Sequence, residues 1–236
     1  MRQSVRQMAV TGLLLSGSTG PSNCLLSSRS KVRVLHKTLF LKKMDKPIVI
    51  KNVLNEDLFC TIHDTMHKHM KWKLNNRSYH GGNAGLSWGV YPRNADLIFY
   101  EAASIIKLKI LKHIRHKVQL IKLHYNGQTS GQISEFHADF DEKLSWTFVL
   151  FTEKEWNTQW GGEFVSQHPE TKEYFYTPYI PNTGALIPAY WQHCGHPPFP
   201  CTDRLRSTVA FSYMEWKTLD EKPEGTTNWD IVRTFV

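Results

Sequence analysis

The stretch "EFHADF" at 135–140 sets His137 and Asp139 two positions apart. Residues two apart in extended chain project to the same side, so this imidazole and this carboxylate can reach one ion. Alone the pair says little, because H-x-D is short enough to recur by chance. A ferrous centre that keeps positions open for a co-substrate and dioxygen takes two imidazoles and one carboxylate on one face of the metal. The second imidazole is available 56 residues on, at His193, where the apolar run "GALIPAYWQH" ends. His196, three positions later in "HCGHPPFP", is the competing choice. Arg206 then opens "RSTVAFSY", an alternating run that reads as a strand. A buried guanidinium is costly unless paired, and its planar fork matches a carboxylate in bidentate fashion, so a small dicarboxylate is its natural partner. His63 and His67 sit one helical turn apart and could share a metal too. No third ligand stands near them in the sequence, and the reading there is two ordinary surface or boundary histidines.

These side chains need a scaffold. "PIVIKNVL" (47–54) reads as a strand, and Asn55 followed by Glu56 and Asp57 reads as a helix cap with acids in the first turn. The apolar set Leu58, Phe59, Ile62, Met66, Met70 recurs at three- and four-residue steps, which predicts a helix to about Met70. The glycine- and aromatic-bearing stretch 75–94 reads as a long loop or loose hairpin, and a second helix is expected from about Ala95 to His116. Beyond it the period changes to two. Strands are predicted at 118–125, 146–151, 161–167, 173–180, 184–190 and 206–213. The expected organisation is α+β: a basic segment 1–44, a strand and helical support region 45–116, and a β domain 117–236 carrying the chemistry.

Residues 118–213 resemble the double-stranded β-helix (jelly-roll, cupin-like) domain of Fe(II)/2-oxoglutarate-dependent dioxygenases. The likeness is greatest to the prolyl 4-hydroxylase branch, including its virus- and phage-encoded members. It is carried by "HYNGQTSGQISEFHADF", "WTFVLFTEKEWNTQWGGEF", "PNTGALIPAYWQH" and "LRSTVAF", in that order over about a hundred residues. The resemblance implies His137, Asp139 and His193 as iron ligands and catalytic centre. It implies Arg206 as partner of the distal 2-oxoglutarate carboxylate, Tyr125 as a hydrogen-bond donor to the same carboxylate, and Thr208 as a further member of that pocket. Gly161 and Gly162 match a G-G-E turn, in which Glu163 reads as structural. His193 is preferred to His196 because Pro197 and Pro198 then fall where the family has its post-histidine proline. The implied cofactors are Fe(II) and 2-oxoglutarate, with L-ascorbate as a further one that the branch allows. Dioxygen is the co-substrate.

The implied activity is hydroxylation of a C–H bond with release of succinate and carbon dioxide. A prolyl residue in a protein or peptide is the first choice of substrate, with Tyr79, Trp88 and Tyr91 as candidate receivers of an extended chain. A free amino acid or another small metabolite is second. A non-catalytic jelly-roll binding module is the reading from a different class. Nucleic acid is disfavoured by the charge distribution. The formal charge is +8, but residues 1–44 carry eight Lys or Arg and no acid, leaving 21 bases against 21 acids in 45–236. That basic, Ser-rich segment fits a tail, sequence upstream of a start at Met44, or an organellar targeting peptide, with a short secretory signal as the weakest fit. Four irregularly spaced cysteines suit a reducing compartment, and cytoplasmic location is the expectation. No stretch has the roughly 18 to 20 consecutive apolar residues of a transmembrane helix.

Overall fold

Alternation in the β-rich half sorts side chains onto two faces. In the computed structural model, strand β10 (Arg206–Glu215) turns Val209, Phe211 and Tyr213 toward one buried cluster, and Ala210 belongs to another on the opposite face. The structure describes residues 44–76, 87–90, 97–114, 116–132 and 134–215. Contacts divide the chain into Met1–Lys42 and Lys43–Val236, and every described residue falls in the second unit. The expectations for the basic segment, and those for Tyr79 and Tyr91, fall outside the described residues.

The chain begins with β1 (Ile48–Lys51) and α1 (Glu56–Asp64). The Asn55 side chain accepts from Leu58 N at 2.8 Å and fixes the helix start, as the sequence predicts. One π-helical turn, Thr65–His69, extends α1. The stretch read as loop or loose hairpin, 75–94, takes in the end of β2 (Lys73–Asn76) and all of β3 (Ser87–Val90), two short antiparallel strands with Leu74 opposite Trp88. Helix α2 (Leu97–Ile114) buries Phe99, Ala102, Ala103, Ile106, Ile110 and Ile114, a face at three- and four-residue spacing. The remaining strands are β4 (Val118–Gln128), β5 (Ser145–Phe151), β6 (Phe164–Gln167), β7 (Tyr174–Thr177), β8 (Thr183–Pro188) and β9 (Gln192–Gly195), followed by β10. Among the described residues no helix is long and apolar enough to cross a membrane.

Seven strands form one antiparallel sheet in the order β1-β8-β5-β10-β4-β3-β2, and three form a second in the order β7-β6-β9. An isolated bridge between His137 and His193 adds the H-x-D segment beside β9. This is the expected double-stranded β-helix with flanking helices. One face of the large sheet packs on α1 and α2 through Tyr125, Phe148, Leu150, Leu186, Val209, Phe211 and Tyr213. The other holds Val149, Phe151, Ala185, Ile187 and Ala210 together with Phe164, Tyr179 and Trp191. Each large apolar side chain removed from water contributes about 1.5–3 kcal/mol, so both faces have a reason to stay closed. Strand β5, "SWTFVLF", is buried at every position, as a central strand covered on both faces is.

Candidate active site

The backbone pairing that adds the H-x-D segment beside β9 is also what assembles the site. His137 N donates to His193 O at 3.0 Å and His193 N to His137 O at 2.9 Å, so two residues 56 apart in sequence lie side by side. Asp139 N donates to Ala189 O at 2.9 Å and holds the next turn of the segment. Ligand atoms of His137, Asp139 and His193 all lie within 4.8 Å of one another. His137 Nε2 is 4.0 Å from Asp139 Oδ1, and His193 Nε2 is 3.7 Å from Asp139 Oδ2.

Hydrogen bonds fix which imidazole nitrogen is free. His137 Nδ1 lies 3.0 Å from the Glu135 carbonyl and His193 Nδ1 lies 2.9 Å from the Trp191 carbonyl. A carbonyl only accepts, so both Nδ1 atoms carry the proton and both Nε2 lone pairs face the carboxylate. That is the arrangement a metal needs, with outer partners setting tautomer and ring orientation. Thr147 on β5 donates its hydroxyl to Asp139 Oδ2 at 2.5 Å and orients the carboxylate in the same way. Burial lowers the His137 pKa, and the neighbouring His193 adds to the shift, which favours the neutral ring a metal requires. Burial acts to raise the Asp139 pKa, but His193, the Thr147 hydroxyl and His137 outweigh it and hold the carboxylate ionised.

His196 lies apart from this group. Its side chain is 43% exposed and its Nδ1 stands 3.7 Å from Glu163 Oε2. Of the two histidines left open by the sequence, the structure brings His193 to the pair.

Arg206 is 2% exposed and lies across from β9. Its Nε donates to Gly162 O at 2.7 Å and its Nη1 to Gln128 Oε1 at 3.0 Å, whereas Nη2 is buried with no hydrogen-bond partner. The guanidinium stands 5.3 Å from the centre of the Tyr179 ring. A Cβ on Gly195 would come within 2.8 Å of Nη1, so that glycine leaves the space the guanidinium fills. Gly162, at φ 85°, takes the left-handed conformation that aims its carbonyl at Nε, and this is the turn matched by the sequence. Burial lowers the Arg206 pKa to about 10, because no described carboxylate bonds to it. A buried cation with an unsatisfied donor costs on the order of 1–3 kcal/mol or more until an anion supplies the missing acceptor. Thr208, 2% exposed, pairs with Asn126 two positions along β10, on the face that carries Arg206.

Tyr125 requires a correction. It pairs with Val209, not with Arg206 or Thr208, and its ring meets Phe99 of α2 edge-on at 4.8 Å. Side chains alternate along a strand, so Tyr125 belongs to the helix-side core and is turned away from the Arg206 pocket. Its neighbours His124, Asn126 and Gln128 occupy the other face. Gln128 was missed because the sequence reading ended that strand at 125, three residues short. It accepts from Arg206 and donates to Gly195 O at 2.9 Å and Ser134 Oγ at 2.8 Å. Burial first, and Lys122 next, push the His124 pKa down to about 4, with Asp139 opposing and His137 adding to the fall. His124 therefore belongs to the electrostatic neighbourhood of the three-residue cluster. The polar alternation Lys122, His124, Asn126, Gln128 was its signal. Trp88, the one described member of the aromatic loop, lies over Gly127 beside Trp72 and Leu205, on the Tyr125 side of β4.

A second cluster, His63, His67 and Glu153, also brings ligand atoms within 4.8 Å of one another.

No protein-family model matches the chain, and no curated protein does. Solved structures do. A prolyl-4-hydroxylase of Pseudomonas putida matches at 13% identity and TM-score 0.51, covering 72% of this chain and 92% of that one. A prolyl hydroxylase of Trichoplax adhaerens, in complex with a peptide fragment of the hypoxia inducible factor oxygen degradation domain, matches at 9% identity and TM-score 0.57, covering 80% and 94%. HygX of Streptomyces hygroscopicus, with nickel and 2-oxoglutarate bound, matches at 12% identity and TM-score 0.55, covering 89% and 100%. At these identities the likeness is one of fold: the chain has the jelly-roll fold found in 2-oxoglutarate and Fe(II) oxygenases, prolyl hydroxylases among them.

Proposed function

We propose that this chain is an Fe(II)- and 2-oxoglutarate-dependent dioxygenase that hydroxylates a C–H bond, with His137, Asp139 and His193 as the iron ligands. The observation that carries the reading is the buried Arg206 with Nη2 unpartnered. Its guanidinium rests against Gly195, two residues along β9 from His193. Two residues of strand span roughly 6.6 Å, a distance that a five-carbon dicarboxylate bridges. One end would reach the metal while the other accepts from Arg206, with Thr208 beside it. Ser166, directly opposite His193 on β6, adds a buried hydroxyl that also has no hydrogen-bond partner among the described residues.

When bound, iron and 2-oxoglutarate supply the oxidation: one oxygen atom of O₂ goes to the substrate C–H and the other to succinate, with loss of carbon dioxide. The chain's own residues hold and exclude. Thr147 and the two chain carbonyls keep the three ligands aimed at one point. The walls Val149, Phe151, Phe164 and Trp191 keep water from the interior.

A prolyl residue in a protein or peptide is the first substrate class. It is supported by the two prolyl hydroxylases of like fold, one of them holding a peptide. Phe136, next to His137, is exposed and meets Tyr174 edge-on at 5.6 Å, giving an apolar surface beside the site. The test incubates the protein with Fe(II), 2-oxoglutarate and a panel of proline-containing peptides and small metabolites, reading succinate and the gain of one oxygen by mass. Peptide oxidation at proline is the expected result. Oxidation of metabolites alone would move the substrate class, and absence of both iron-dependent 2-oxoglutarate binding and succinate would leave a non-catalytic jelly roll.

A further inference from the structure

His63 and His67 do have a third partner, supplied by tertiary structure. Glu153 stands two residues past the end of β5, and its side chain is only 5% exposed. Its Oε1 lies 2.8 Å from His67 Nε2 and also accepts from the Ser207 hydroxyl. His63 Nδ1 lies 3.0 Å from the Thr152 carbonyl, to which it donates, and 3.9 Å from Glu153 Oε2, and the Nε2 lone pair is left free. The two rings stand 4.3 Å apart, centre to centre. The π-helical turn begins at Thr65, between the two histidines, and the altered winding sets the position of His67 relative to His63. The three side chains line a cavity of about 520 Å³ together with Asp203, Arg204 and Leu205.

We propose that His63, His67 and Glu153 form a second cation site, separate from the barrel cluster, for a divalent transition ion of the zinc class. Two neutral imidazoles and a carboxylate are a complete zinc ligand set with one position left for water. Ligands bound at about 2.0–2.2 Å to one tetrahedral ion lie roughly 3.3 Å from each other. The present spacing, within 4.8 Å overall and 2.8 Å for the closest pair, brackets that value and needs only small side-chain adjustment. Second partners are already in place: the Thr152 carbonyl fixes the His63 tautomer and Ser207 holds the Glu153 carboxylate. Binding would release the proton that His67 Nε2 now shares with Glu153. Asp203 and Arg204 on the cavity wall carry opposite charge and offset one another. The ion would fasten α1 to the end of β5, from the helix side of the sheet. That location separates it from the Arg206 pocket, although Ser207 follows Arg206 directly in the chain.

The experiment uses the full chain dialysed against Zn²⁺, with bound metal counted by elemental mass spectrometry and melting temperature followed in parallel. The double variant His137→Ala, Asp139→Ala should keep one Zn²⁺ per chain and melt higher with zinc than without. Adding His67→Ala to it should remove that ion and the thermal shift, while far-UV circular dichroism and the metal-free melting temperature stay near those of the double variant. His63→Ala in the same background is a second removal that keeps the hydrogen bonds of His67 and Ser207 to buried Glu153. If the double variant binds no zinc, or its zinc survives both histidine replacements, the site is overturned. Loss of iron at the barrel leaves this outcome untouched, so a failure of the proposed oxygenase activity and a failure of the second site are read separately.

Discussion

Two clusters of two histidines and one carboxylate lie in the same unit, one beside β9 and one between α1 and the end of β5. Their ligand sets are nearly the same, and their surroundings are not. In the barrel cluster both imidazoles give their Nδ1 protons to chain carbonyls and present Nε2 to Asp139, and an unpaired buried guanidinium waits nearby. In the outer cluster Glu153 is already occupied by His67 and Ser207, and the neighbouring Arg204 lines an open cavity with Asp203 beside it. The difference teaches that a ligand set defines affinity for a cation, while the groups around it decide whether a co-substrate can join. Among the described residues, only the barrel cluster has beside it a buried guanidinium with an unpartnered donor, the feature on which the proposed co-substrate site rests.

The largest expected effect tests this contrast directly. His137→Ala or Asp139→Ala should abolish Fe(II) binding at the barrel cluster, read in the His67→Ala background, and with it succinate release, and His193→Ala should do the same, while His196→Ala and His67→Ala alone retain turnover. Anaerobic iron titration and a succinate assay across the five variants check it. Turnover that survived His193→Ala and vanished in His196→Ala would reassign the third ligand.

Arg206 comes next. Arg206→Ala should leave iron bound and raise the 2-oxoglutarate requirement by about 2–5 kcal/mol, roughly thirty-fold to several-thousand-fold. Lys in its place should not restore it, because a single ammonium cannot donate at once to Gly162 O, Gln128 and a carboxylate with the geometry of a planar fork. Succinate release against 2-oxoglutarate concentration gives the answer. An unchanged dependence would remove the anion receptor, and with it the distinction between the two clusters.

Thr147 tests how firmly the barrel carboxylate is held. Thr147→Val keeps the shape of the side chain and deletes the hydroxyl that bonds Asp139 Oδ2. Loss of such an outer partner typically costs 10–100-fold in metal affinity, so weaker Fe(II) binding of about that size is expected. Unaltered iron affinity would mean that the His193 contact and the backbone alone orient Asp139.

The barrel site was largely legible in the sequence because its parts are local or lie on strands with a clear period. His137 and Asp139 are neighbours, His193 ends an apolar run, and Arg206 opens an alternating one. The outer site was not legible. Its two histidines are four positions apart, one on α1 and one on the π-helical turn that extends it, but Glu153 stands 86 residues beyond His67 and nothing in its own surroundings marks it as a ligand. Strand β9 was also missed, since "QHCG" is four residues without β-branched or alternating character and forms only by pairing with β6. The helices and central strands were read well where apolar spacing ran long, and less well at ends. β4 continues three residues past its expected limit, and those residues bring Gln128 to Arg206.

The smallest expected effect concerns the face on which β4 carries its tyrosine. Were Tyr125 to donate to the distal carboxylate of 2-oxoglutarate, its hydroxyl would contribute about 1.5–3 kcal/mol, as hydrogen bonds to charged groups do. The structure turns the ring the other way, edge-on to Phe99 and level with Val209 in the helix-side core. Tyr125→Phe keeps the ring and therefore the packing, so the 2-oxoglutarate dependence should match that of the unaltered protein while Arg206→Ala shifts it strongly. Any change should appear in the melting temperature, because the hydroxyl belongs to the seam between α2 and the sheet. A clear rise in the 2-oxoglutarate requirement with unchanged melting would place Tyr125 in the pocket and reverse the assignment of faces along β4, taking Gln128 away from Arg206 with it.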